Sequence, residues 1–439
     1  MNRFPPDFIF GAATSAYQIE GAHDEDGRGR IGWDDVARDA AGRPLVENGD
    51  VACDHYHRFR GDIAIMKELG LQSYRFSISW VRIYPLGHGN INPKGVAFYN
   101  ALIDELLENG IEPAVTVWHG DLPSVYDEIG GWKNRDVITH YVAYANTLFT
   151  LFGDRVKKWF THNEPWCAAF LPAGSFSDQL QSAHNLLVAH ALAVASYRAH
   201  PQGDGQIGIV LNLGKQYPAS DDPLDLQAAR NVDGFLNRWF LDPVLKGNYP
   251  VDMVDRYERA GHHFVICPGD MELLGKQPSD FIGINMYSRG IQAYDPDNQL
   301  LGAREVRDDA VRRTAMGWEI CPESLYDLLL DVKREYLNIP VIIAENGAAF
   351  ADEVIFDGQV RDDDRIAYFR DHLRFVSRAI AAGCDVRGYY AWSLFDNFEW
   401  GAGYSKRFGI VRVDYATQKR SIKESGIFYQ NVIRLRAVE

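Results

Sequence analysis

The stretch Ile342-Ile343-Ala344-Glu345-Asn346-Gly347 decides the fold of this chain. An apolar, β-branched run is the pattern of a strand buried on both faces, and here it closes on a carboxylate with a turn signal directly behind it. A second segment repeats the design. Val156 to Asn163 leads into Glu164, and Pro165 stops the strand just past the acid. The C-terminal end of a buried parallel strand is where a barrel of alternating strands and helices presents its chemistry. Two carboxylates in that position point to paired acid and base work.

The rest of the chain alternates in the same way. Strands are predicted at Phe8 to Ala13, Ser73 to Trp80, Pro113 to His119, Val156 to Glu164, Gln206 to Asn212, Asp280 to Tyr287, Ile342 to Glu345 and Val386 to Trp392. Helical spacing of apolar residues falls between them at Arg58 to Leu69, Val96 to Glu108, Val137 to Phe152, Ala183 to His200, Leu325 to Tyr336 and Ile366 to Ala382. A Gly-, Asp- and Arg-rich loop is predicted from Gly21 to Asp50. With no linker or low-complexity break, the pattern predicts an α/β chain folded as one (β/α)8 barrel over residues 1–439, with extended βα loops. Strands four and seven then set Glu164 and Glu345 facing each other across its mouth.

Composition narrows the partner. A net charge of −15 argues against a nucleic-acid or anionic-membrane surface, which needs clustered Lys and Arg. Ten Trp and 22 Tyr supply flat faces suited to sugar rings. Cys53, Cys167, Cys267, Cys321 and Cys384 form no CxxC pair, so neither a disulfide framework nor a structural zinc site is expected. No metal-ligand spacing and no GxxxxGK[ST] phosphate loop occurs, so no cofactor is expected. No signal-like start and no membrane-length apolar run is read, and the expected location is cytoplasmic. Oligomeric state is left open.

Gln18, His119, Asn163, Glu164, Asn285, Tyr287, Glu345 and Trp392 all fall at or just after predicted strand ends, as a hydroxyl-rich ligand would require. Glycosidic cleavage needs one protonated carboxyl to assist the leaving oxygen and one carboxylate to attack or stabilise the sugar carbon. Cationic or hydrogen-bonding neighbours keep the second ionised, and Arg75 and Tyr287 are the candidates.

These residues resemble a known family. Thr161-His162-Asn163-Glu164-Pro165, Ile343-Ala344-Glu345-Asn346-Gly347, Tyr74 to Trp80 and Asp396-Asn397-Phe398-Glu399-Trp400 match the β-glucosidases of glycoside hydrolase family 1. So do Asp54-His55-Tyr56, Met316-Gly317-Trp318 and Lys406-Arg407-Phe408-Gly409, and the resemblance covers nearly the whole chain. It implies a retaining β-glucosidase acting on a small β-glycoside, with Glu164 as acid/base and Glu345 as nucleophile. Asn163 would hold the 2-hydroxyl, and Gln18, His119, Glu399 and Trp400 the remaining hydroxyls. Trp392 would lie beneath the ring. Tyr287 and Arg75 would orient the nucleophile, Asn285 and Phe408 would line the site, and Trp318 would face the aglycone. Alternatives within reach are a 6-phospho-β-glycosidase, a transglycosylase and a non-catalytic sugar-binding barrel. The phospho-enzymes carry a serine at the position of Glu399 and a tyrosine at that of Phe408, so only Lys406 fits them.

Four positions depart from the family pattern. Gly120 stands where a Trp usually follows the strand-three histidine, which opens space beside the sugar. Ala344 and His162 are unusual beside the two acids and are expected to point away from them. The loop after Trp166 is short, and a wider aglycone entrance is expected from it.

Overall fold

Eight parallel strands hydrogen-bond in sequence order and the eighth returns to the first, so the sheet has no free edge. The computed structural model describes residues 2–37, 44–354 and 359–439. Residues 38–43 of the expected Gly21-to-Asp50 loop lie outside the described residues. The barrel strands are β1 (Ile9–Ala13), β2 (Ser73–Ser77), β3 (Glu112–Trp118), β4 (Lys158–Asn163), β5 (Gln206–Asn212), β6 (Phe281–Asn285), β7 (Val341–Asn346) and β8 (Val386–Trp392). Around them lie α1 (His55–Glu68), α2 (Pro93–Glu108), α3 (Asp136–Phe152), α4 (Phe176–Ala199), α5 (Pro223–Asp233), α6 (Glu323–Glu335), α7 (Asp363–Ala381) and α8 (Glu424–Leu435). None of the described helices is long and apolar enough to cross a membrane.

Capping explains where the helices start earlier than their apolar spacing predicts. Asn92 accepts from the Lys94 N–H (3.2 Å) with Pro93 in the first turn, which starts α2 before Val96. Ser175 accepts from the Asp178 N–H (3.1 Å) and starts α4 well before Ala183, where the side chains are too polar to show a periodic stripe. Strand two is shorter than expected. It stops at Ser77, and Trp80–Ile83 turns into a helix that buries Trp80 against Tyr144, with ring centroids 4.8 Å apart. Helices in the segment between β5 and β6, a small sheet of Gln216–Pro218, Gly290–Tyr294 and Ala303–Glu305, and α8 were not foreseen from spacing.

Large side chains fill the barrel below the mouth. Phe160, Phe281, Ile342 and Tyr390 form one buried cluster inside the ring, with Phe160 edge-on to Phe281 at 5.1 Å. Two register irregularities lie higher up. One falls between Phe160 and Asn163 on β4, and the other between Ile343 and Glu345 on β7. Bulges re-aim the residues that follow them, and both sit just below the two acids. Outside the ring, Asn2–Arg3 pairs antiparallel with Ala437–Val438.

Gly11 on β1 is one point where this packing leaves no room for a side chain. A Cβ there would lie 2.5 Å from the Tyr390 ring and 2.7 Å from the Ser73 carbonyl. Gly11→Ala is expected to destabilise the protein by about 1–3 kcal/mol, read as a lower urea midpoint with an unchanged m-value.

Candidate active site

Glu164 ends β4 in a left-handed backbone conformation (φ +50°, ψ 63°), and Pro165 opens a short helix, Pro165–Phe170, directly after it. Such a backbone costs on the order of 1–3 kcal/mol in a residue with a side chain and persists where the surroundings impose it. Here the Glu164 N–H donates to the Val210 carbonyl across to β5 (2.9 Å). Its Oε1 accepts from Asn285 Nδ2 (2.8 Å) and its Oε2 from the Cys167 thiol (3.1 Å).

Glu345 pairs across the sheet with Asn285, at the same level of the barrel. Its Oε1 accepts from Arg75 Nη1 (2.8 Å) and its Oε2 from the Tyr287 hydroxyl (2.6 Å). Arg75 points inward from β2 with no exposed surface. Its other donors reach Asn163 Oδ1 (2.7 Å), Thr116 Oγ1 (3.1 Å) and the Ala344 carbonyl (3.2 Å). Asn285 Nδ2 also donates to Asn163 Oδ1 (3.0 Å). One hydrogen-bonded chain, Glu164–Asn285–Asn163–Arg75–Glu345, therefore links the two carboxyls.

Burial pushes the Glu345 carboxyl up to about 7, opposed by the Arg75 charge and the two donors and reinforced by the charge of Glu164. Burial, with Glu345 and Glu164 close by, holds the Tyr287 hydroxyl well above its ordinary range, so it stays a neutral donor. His119 is held well below its usual value by burial and then by Arg75, so its imidazole is neutral, and Nε2 lies 3.0 Å from Asn163 Nδ2.

The remaining expected residues surround this pair. Trp392 stacks on His119 with ring centroids 5.9 Å apart. Gln18 donates to the Phe398 carbonyl (2.9 Å) and to Glu399 Oε2 (3.3 Å), and Asn397 Nδ2 donates to the same oxygen (3.1 Å). Burial pushes Glu399 up to about 8, with the charges of Glu345 and Glu164 adding to it and the two amide donors opposing. Trp318, Tyr287 and Phe408 form one aromatic wall, with Trp318 5.2 Å from Tyr287 and 6.2 Å from Phe408. Trp400 forms another with Tyr17 (6.0 Å) and Trp33 (5.0 Å). His162 points away, stacked on Tyr141 at 4.4 Å. Four contributors were not read from the sequence. Cys167 lies one helical turn beyond Glu164 and Asn397 two residues before Glu399, so spacing would have found both. Thr116 and Trp33 carry no such signal.

A family model described as glycosyl hydrolase family 1 matches residues 1–438. The chain belongs to glycosyl hydrolase family 1. It is 46% identical to "Beta-glucosidase A" of Acetivibrio thermocellus, over 98% of each chain. A solved structure of the Thermotoga maritima β-glucosidase in complex with glucoimidazole superposes with a TM-score of 0.93 at 44% identity, covering 100% of both chains. A protein named 6-phospho-beta-glucosidase from Bacillus subtilis is 39% identical over 98% of this chain and 97% of its own.

Beside the acids, this family 1 site opens into a cavity of about 940 Å³. It is bordered by Asn163, Glu164, His119, Gly120 and Trp400, and it passes the loop 171–174 on its way out. Arg75→Met removes the charge that opposes burial at Glu345. The carboxyl is then expected to titrate at higher pH than in the unaltered protein, observable by isotope-edited infrared difference spectra across pH 5–9.

Proposed function

We propose that the protein is a retaining β-glucosidase, with Glu164 as acid/base and Glu345 as nucleophile. The observation that carries this reading is the unequal treatment of two linked carboxyls. Glu345 is clamped by a guanidinium and a phenol, whereas Glu164 meets only neutral donors, an amide and a thiol. Glu345 would attack C1 while Glu164 gives its proton to the departing oxygen. Water then takes the leaving group's place, returns a proton to Glu164 and frees the sugar with its configuration kept. A neutral His119 and Asn163 suit sugar hydroxyls, and Trp392 a ring face. Glucose as the glycon is supported by the named relatives.

Glu399 favours an unphosphorylated sugar, because a carboxyl group stands where the phospho-enzymes carry a serine. Burial raises this carboxyl toward neutral pH, and in its protonated form it can both donate to and accept from a hydroxyl. Lys406, the one residue shared with the phospho-enzymes, donates to the Ala315 carbonyl (2.8 Å). The cysteines form no disulfide, which fits the reducing setting of a cytoplasmic enzyme.

Four measurements test the reading. The first product seen by proton NMR is expected to be the β-anomer, and an α-anomer would overturn it. Glu164→Gln should lose about 10²–10⁴-fold on cellobiose but far less on 2,4-dinitrophenyl glucoside, whose leaving group needs little protonation. Glu345→Gly should show no turnover until azide is added, and then yield the α-glucosyl azide. Because Glu345 must be ionised to attack and its ionisation is held up near 7, kcat/KM of the unaltered enzyme should fall about tenfold per unit as pH drops below that value.

A further inference from the structure

Gly120 is where the site opens sideways. It follows β3 with φ +83°, and a Cβ there would lie 3.5 Å from Trp400 Cη2. With no side chain at that point, the cavity of about 940 Å³ reaches the edge of the sugar seat. That volume lies at the upper end of pockets that take drug-sized ligands, roughly 300–1,000 Å³, and a monosaccharide seated over Trp392 does not account for it. Trp392, Glu345, Tyr287 and Trp318 do not border the cavity at all. It is a side chamber, distinct from the ring seat and from the Trp318 wall.

The border residues give the chamber its direction. It meets the seat along Glu164, Asn163, His119 and Trp400. On the proposed reading, those side chains face the glycosidic oxygen, the 2-hydroxyl and the hydroxyls beyond it. One side of the chamber, at Gly120, His119, Asn163 and Trp400, therefore lies against the 2-hydroxyl edge of the glycon, while its other side, Cys167 to Gly174, follows the leaving-group loop. Its walls have the character of a sugar site, with the indole rings of Trp33 and Trp132 and, on the α4 side, the partly exposed polar side chains of Asp178 and Ser182.

We propose that this chamber holds a second pyranose carried on the 2-hydroxyl of the glycon, so that the protein releases (1→2)-linked disaccharides intact from their aglycones. The inference rests on the β-glucosidase reading and extends its substrate class. Glu345 attacks C1 of the inner sugar, the bond from C1 to the aglycone oxygen breaks, and Glu164 protonates that oxygen. Water then adds to C1 and its proton returns to Glu164. The bond between the two sugars is never touched.

The test compares p-nitrophenyl β-glucoside with p-nitrophenyl β-sophoroside, in which a second glucose is joined to the 2-hydroxyl of the first. The expected result is sophorose and p-nitrophenol together, with no lag. Glucose first, with nitrophenol delayed, would overturn the inference while leaving the β-glucosidase reading intact. No turnover of the plain glucoside would sink that reading instead. Ser182→Trp narrows the chamber from its far wall and should lower kcat/KM on the sophoroside at least tenfold, while the glucoside stays within twofold. Should that variant fail to fold, Asp178→Trp on the same face of α4 serves. A wall variant that impairs flavonoid glucosides but spares the sophoroside would assign the chamber to the leaving group and overturn the inference.

Discussion

Arg75 is buried without any exposed surface, and its donors are engaged by a carboxylate, an amide oxygen, a hydroxyl and a backbone carbonyl drawn from β3, β4 and β7. A guanidinium removed from water is tolerated only where such partners are all present, and breaking a buried pair of this kind typically costs about 3–5 kcal/mol. The partners are therefore held in place by the charge they surround. Glu345, Asn163 and, through Asn163, Asn285 and Glu164 are positioned before any ligand arrives. Preorganisation of this sort is what makes donors and charges effective at a reacting centre.

The same enclosure sets two effects against each other. Desolvation favours the neutral form of every acid in the mouth, and it is the first cause of the upward shift at both Glu345 and Glu399. At Glu345 a full positive charge resists it, whereas at Glu399 only the amides of Gln18 and Asn397 do. The same desolvation is thus resisted by a charge at one glutamate and by neutral donors at the other.

Much of this was legible in the residues. The eight strands were found because buried parallel strands are short apolar runs with polar exits, and β5 and β8 match the reading residue for residue. The acids stood out for the same reason, and Arg75 and Tyr287 reach Glu345 as their strand positions suggested. Where the reading fell short, the signal was not periodic. The first turns of α4 carry Ser, Asp and Gln, and the segment between β5 and β6 packs on the outside of the barrel, where no strand-helix rhythm announces it. Strand two was read past Ser77 because Ile78 and Trp80 look like strand residues, while tertiary packing of Trp80 on Tyr144 turns the chain there into a helix. Trp33 comes to the mouth from a single 3-10 turn, Gly32–Asp34, and nothing local in the sequence says so.

Closure of the ring has a consequence for how the molecule is made. Strand β8 pairs with β1, setting Trp392 against Ala13. This contact joins the first barrel strand to the last, so it forms only after the six strands between them have been made. Non-local pairings of this kind slow folding, because a long loop must close before the contact rewards it. Until then the two flanking strands present open edges. The interval between synthesis and closure is accordingly when the nascent protein is most exposed to aggregation.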